Sequence, residues 1–115
     1  MAVYYKTATS VIADGGNLGT VVDLGDSVLV GVIIDSLWDA GDELGFKVCD
    51  TEGGTYVPLY DKDASLVSLG VTASRAYSLD PQIFGQWRYI KAWSQNGSGT
   101  NAAQAGGSTV TFTMK

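Results

Sequence analysis

The chain has 115 residues, 45% of them hydrophobic and 17% charged, with 12 acidic side chains against 7 lysines and arginines and a net charge of −5. This length and composition specify one domain able to bury its own core and exclude a disordered tail, and the scattered cations offer no basic stripe to neutralise a nucleic-acid backbone. One cysteine, Cys49, excludes an intrachain disulfide, and the lack of histidine removes the commonest general base and metal ligand.

From the N-terminus, Val3 to Thr7 is β-prone and alternates with polar residues, which suits an edge strand or a docking arm over residues 1–7. Tyr4 and Tyr5 put paired aromatic surface next to a chain end. Asp14-Gly15-Gly16-Asn17 supplies the positive φ angles of a sharp reversal. Leu18 to Leu24 then reads as a strand in which Leu18, Val22 and Leu24 share one face. Val28 to Ile34 is apolar on both faces, which fits a sheet centre or a strand held between the core and a partner subunit. Seven residues are too few to span a bilayer, and no apolar run follows the start of the chain, so neither a membrane span nor a signal peptide is expected.

Asp35, Asp39, Asp42 and Glu43 cluster around Ala40-Gly41. Clustered carboxylates can bind calcium, but the spacing of a dedicated calcium loop is not met, and a solvated connection is the expectation. Trp38 in this segment either folds back on the core or stands out as an anchor for a partner. Leu44, Phe46 and Val48 alternate inward, with Gly45, Lys47 and Cys49 on the opposite face, and Cys49 reads as a small packing residue. Glu52-Gly53-Gly54 forms a hairpin loop into Thr55 to Tyr60, where Pro58 confines the strand to an edge. Val67, Leu69 and Val71 alternate as a further strand.

Asp80 to Ser94 is the densest signal. Asp80 can cap a short helical turn with Pro81 in its first position, and Gly85 stops it. From Gln86 onward Trp87, Tyr89, Lys91 and Trp93 alternate with Arg88, Ile90 and Ala92, the pattern of a central strand. Ile83 and Phe84 are placed to plug one end of the core. Asn96 to Gly107 is a long Gly-, Asn- and Ser-rich loop, expected to be mobile or ordered by a partner. Val110, Phe112 and Met114 face one way and the threonines between them the other, so the chain closes with a strand that needs pairing inside a sheet.

Short strands separated by regular turn signals, with one helical turn near Asp80–Phe84, define an all-β protein: an antiparallel β-sandwich of about eight strands, jelly-roll-like, forming one domain over residues 1–115. The residues point to no cofactor or metal, and no side chains form a recognisable catalytic set.

The run Tyr77-Ser78-Leu79-Asp80-Pro81-Gln82-Ile83-Phe84-Gly85-Gln86-Trp87-Arg88-Tyr89-Ile90-Lys91, followed by Gln104 and the alternating final strand, resembles small all-β virion proteins of tailed bacteriophages. Within that group it is most similar to the capsid decoration, or cement, proteins, with a looser match over Val28 to Val48. The resemblance implies a jelly roll that is made in the host cytoplasm, assembles as a homotrimer on the outside of the capsid, and stabilises the shell by bridging major capsid protein subunits. It implies no nucleic-acid or membrane partner and no enzymatic activity. Tyr4, Tyr5 and Trp38 are the candidate interface residues on the reading of the sequence itself. The rival is a carbohydrate- or receptor-binding sandwich using Trp38, Trp87, Trp93, Tyr56 and Tyr60 for stacking. A third reading, a small glycosidase, would need paired carboxylates among Asp35, Asp39 and Asp42.

Overall fold

The computed structural model describes residues 5–115; Tyr4 and the residues before it lie outside that range. Among the described residues the strands are β1 (Lys6–Ile12), β2 (Leu18–Asp23), β3 (Leu29–Ile34), β4 (Glu43–Cys49), β5 (Val57–Pro58), β6 (Ser68–Gly70), β7 (Ala76–Ser78), β8 (Tyr89–Gln95) and β9 (Ser108–Met114), with one helical turn, α1 (Pro81–Phe84). All pairings are antiparallel. Sheet one runs β1-β9-β3-β7; sheet two runs β2-β8-β4, with β5 and β6 both on the free edge of β4. Counting β5 and β6 as one interrupted edge strand, this is the strand order of a jelly roll, as expected from the alternating pattern.

The two sheets join at a corner where Ile12 of β1 pairs with Gly19 of β2. Ser10, fully buried, holds that corner: its hydroxyl donates to the Thr20 carbonyl at 2.6 Å and accepts from the Ala92 amide at 3.0 Å. A buried hydroxyl with both roles filled costs nothing in lost hydrogen bonding and fixes three strands at once.

The core lies between the sheets. Leu44, Phe46, Val48 and Ile90 of sheet two meet Leu29, Val32, Ile34, Val110, Phe112 and Met114 of sheet one. Phe46 is the hub, edge-on to Phe84 at 4.9 Å and tilted against Phe112 at 6.1 Å. Full burial of a ring this size contributes about 2–3 kcal/mol, with about another 0.5–1.5 kcal/mol from each aromatic pair. Phe84 reaches this position because Asp80 caps α1, accepting from the Gln82 amide at 3.0 Å, with Pro81 at the first helical position. The plug expected at Ile83-Phe84 is thus made by Phe84, with Ile83 partly buried beside it.

Of the edge strand or docking arm expected over residues 1–7, the described part meets the first: β1 runs from Lys6 to Ile12 at the edge of sheet one, paired with β9 over its whole length. Two local expectations change. A bulge between Leu18 and Val21 shifts the phase of β2, leaving Val22 and Leu24 in the core and Leu18 only half-buried. The strand of Asp80 to Ser94 starts at Tyr89; before it, the Trp87 amide still bonds back to the Phe84 carbonyl at 3.0 Å. Pro58 does lie on an edge, as its missing donor requires.

Candidate partner-binding surfaces

Strand alternation sorts the residues of sheet one without ambiguity. With Ile12, Val32, Ile34, Val110 and Phe112 turned inward, the outer face carries Thr7, Thr9 and Val11 of β1, Thr109, Thr111 and Thr113 of β9, Gly31 and Ile33 of β3, and Ala76 and Ser78 of β7. The register aligns them in rows across the sheet: Ala76, Ile33, Thr111 and Thr9 in one, Ser78, Gly31, Thr113 and Thr7 in the next. None of these side chains is charged. Val11 and Ile33 are 43% and 46% exposed, so the face is open to solvent. The reading of Val28 to Ile34 as a strand with apolar residues on both faces is therefore met by Ile33 outside and Val32 and Ile34 inside.

Gly31 leaves a hollow in this face. A groove of about 500 Å³ lies there, lined by Tyr5, Val30, Ile33, Tyr77, Pro81 and Lys115 among others. Tyr5 is 61% exposed at its rim, with the Lys115 ammonium 5.8 Å from the ring centre. Tyr5 thus stands where a partner could meet it. Tyr4, the other half of the pair, lies outside the described residues.

Trp38 does not stand out. It is 4% exposed, its indole ring packs in the main core and its N–H donates to the Asp42 carbonyl at 3.1 Å, so the anchor reading is corrected in favour of folding back on the core. Apolar burial of a ring with a satisfied polar edge outweighs its exposure to a partner.

The acidic segment around Trp38 is a hydrogen-bonding frame. Asp35 accepts from the Ser108 hydroxyl at 2.6 Å and the Thr109 amide at 2.7 Å; Asp39 accepts from the Ala105 amide at 2.7 Å; Glu43 accepts from the Ser68 hydroxyl at 2.9 Å. The centre of the frame is Gln104, fully buried. Its side-chain oxygen accepts from the Asp39 amide at 2.9 Å, and its nitrogen donates to Asp42 and to the Ser94 hydroxyl, both at 3.0 Å. Burial, together with repulsion from Asp39, holds the Asp42 carboxyl above the usual carboxylate range. The carboxylates are thus spent on separate loop contacts, and Asp35, Asp39 and Asp42 serve loop order in this structure.

These contacts also settle the loop 96–107, which the composition left open. It is ordered by its own chain: Gln95 accepts from the Gly97 and Gly99 amides, Asn96 from Ser98 and Thr100, and Asp14 from Gly106. The loop folds over the outside of sheet two and there covers Trp93, which is 1% exposed yet lies outside the sandwich core. The Trp93 N–H donates to Asn101 at 2.7 Å. Gly45 makes room for the ring, since a Cβ there would lie 2.7 Å from it.

The rest of that outer face is polar and aromatic. Lys91 of β8 lies directly across from Lys47 of β4, both half-buried. The Lys91 ammonium sits 4.3 Å above the Tyr56 ring, and the Lys47 ammonium 4.7 Å above Trp93. Tyr56 is fixed by donating to the Glu52 carbonyl at 2.8 Å, and burial pushes its hydroxyl above its ordinary range, keeping it protonated. Arg88 flanks this patch, 5.1 Å from the Tyr89 ring centre, and forks onto Asp23 at 2.8 and 3.1 Å. Of the proposed stacking aromatics, Trp38 and Trp93 are buried, Trp87 and Tyr56 half-buried, and Tyr60 is 53% exposed. The structure thus does not gather them into one open platform.

No family model matches the chain, and no curated protein matches its sequence. Among solved structures, the crystal structure of the SPBc2 prophage-derived protein YomS is similar, with a TM-score of 0.57 over 99% of this chain and 96% of that one, at 15% identity. At that identity the likeness is one of fold: the two proteins share the curled, antiparallel all-β architecture.

Proposed function

We propose that this chain is a structural protein of a phage virion, which binds the outer surface of the capsid as a trimer and stabilises the shell, with the major capsid protein as its partner. The observation that carries the reading is the outer face of sheet one, whose strand rows hold no charged side chain, with its groove at Tyr5, Ile33 and Lys115. In a chain of net charge −5, two copies repel each other on average. Contact through this face adds no like-charge pair to that cost. Its threonines, valine and isoleucine are also stiff at χ1, so little side-chain freedom is lost when they are covered.

The phage setting is supported by the resemblance of Tyr77 to Lys91 to decoration proteins and by the fold shared with a prophage-derived protein. On this reading the chain is made in the host cytoplasm and ends on the capsid exterior. A trimer would convert weak single contacts with the shell into tight attachment through multivalency. A closed trimer needs heterologous contacts, in which this face of one copy meets a different surface of the next.

Native mass spectrometry combined with co-sedimentation on expanded capsids tests the proposal. A trimer that pellets with the shells is expected. A monomer that binds glycans, a two-fold dimer packed face to face, or a trimer left in the supernatant would each overturn it.

A further inference from the structure

The outer face of sheet two breaks a rule that the rest of the molecule keeps. Like charges directly opposite on neighbouring strands are destabilising, yet Lys47 and Lys91 are in register with each other. Neither ammonium forms a salt bridge among the described residues, whereas Arg88 is paired with Asp23 and Lys62 with Asp63. Their row is completed by Val21 and Pro58, which bring no charge to balance them. Both ammoniums are held in place by rings, Tyr56 beneath Lys91 and Trp93 beneath Lys47, and a cation over an aromatic face keeps its charge while losing part of its freedom. Two oriented cations side by side without a salt bridge are a site prepared for negative charge, and departures from local rules mark functional positions.

We propose that Lys47 and Lys91, with Tyr56 between the strand and its edge, form a docking site for a carboxylate-rich protein segment. This rests on the reading of the chain as a virion structural protein and assigns sheet two to the shell, leaving the uncharged face of sheet one for other copies. A short protein segment fits better than a polynucleotide, because a long polyanion reaching past the two lysines meets the net charge of −5, starting with Asp23 and Glu52 near Tyr56. Flanking aromatic rings are the side chains enriched where proteins meet proteins.

The test uses the full-length protein and a hexaglutamate peptide, read by amide chemical shifts in 1H–15N spectra, so that it does not depend on capsid binding. Saturable shifts centred on Lys47, Tyr56 and Lys91 are expected, weakening several-fold when ionic strength rises from about 10 mM to about 300 mM. The double substitution Lys47→Met and Lys91→Met, which keeps the side-chain stems over the rings, should weaken binding at least tenfold, and Lys62→Met on the exposed hairpin should leave it unchanged. Shifts absent, shifts scattered over the surface, equal loss in Lys62→Met, or a stronger response to inorganic phosphate or to oligothymidylate would overturn the assignment. Native mass spectra of the same samples separate this outcome from failure of the trimer: the double variant should assemble as the wild type does.

Discussion

The two sheets share one core but turn opposite surfaces to the solvent. Sheet one presents rows of threonine, valine and isoleucine with no charge among them, half-buried at β9 and exposed at Val11 and Ile33. Sheet two presents two lysines, an arginine and two tyrosine rings, and one end of it, with Trp93, is roofed by the loop 96–107. The difference teaches that alternation along a strand is only half a description. It says which residues leave the core, while the fate of those residues depends on what the chain later lays over them. Thr111 leaves the core and stays only half-buried; Trp93 leaves it and is buried again.

The largest expected effect falls on what the sheets share. Phe46→Ala removes a fully buried ring that touches both Phe84 and Phe112, and should cost about 3–5 kcal/mol in urea unfolding. Because Phe46 serves both sheets, all probes should report one transition; separate transitions for Trp93 and for β9 amides would mean the sheets are held independently.

Next is the loop that makes the two faces differ. Gln104→Leu keeps roughly the volume but strips partners from the Asp39 amide, Asp42 and the Ser94 hydroxyl, so a loss of about 2–4 kcal/mol is expected. Hydrogen exchange should accelerate first in residues 96–107, with Trp93 emission moving toward that of a solvated indole. An unchanged Trp93 would mean that the roof stands without Gln104.

A smaller change in stability accompanies a larger change in assembly. Ile33→Lys places a charge in the middle of the uncharged face at a position 46% exposed, so unfolding should move by no more than about 0.5 kcal/mol. On the proposed trimer, native mass spectra should nevertheless show the variant as monomer. If the variant stays assembled, sheet one is not the surface on which copies meet.

How far all this was legible in the sequence differs between the same two faces. The core side of β4 and β9 could be read directly, because Leu44-Phe46-Val48 and Val110-Phe112-Met114 keep strict period two. The cap at Asp80-Pro81 and the edge position of Pro58 followed from backbone chemistry local to those residues. What escaped was non-local. The bulge after Leu18 inverts the phase of β2 without any residue announcing it, and β7 is three residues whose strand character comes from pairing with β3. Gln104, one of several polar residues in a glycine-rich loop, carries no periodic pattern of its own, although it organises Asp39, Asp42 and Ser94. Trp93, a candidate for sugar stacking in the sequence, is buried under a loop and outside the sandwich core. Lys47 reads as turned away from the core, but only the register of β4 against β8 makes Lys91 its neighbour.

The smallest effect separates the two kinds of cation on sheet two. The Arg88 guanidinium, by hydrogen bonding and charge, holds the Asp23 carboxyl below the usual carboxylate range, helped by the Gly25 amide. A carboxyl whose folded value is depressed binds its proton more weakly in the folded state, so its contribution to stability is present above the unfolded value of about 3.9 and fades as pH falls through the lower folded value. Arg88→Leu should therefore lower the melting temperature slightly at neutral pH, and the gap to wild type should close in acid. The pair is solvent-exposed, so the effect is small and should shrink in high salt. Lys47→Met and Lys91→Met should behave differently. No carboxylate is salt-bridged to them among the described residues, and removing either relieves repulsion from the other, so each single variant should melt at or slightly above wild type with no change in slope between pH 5 and 3. A melting-temperature gap for Lys91→Met that closes in acid as it does for Arg88→Leu would show that Lys91 is already paired in the free protein, and would remove the basis for its docking role.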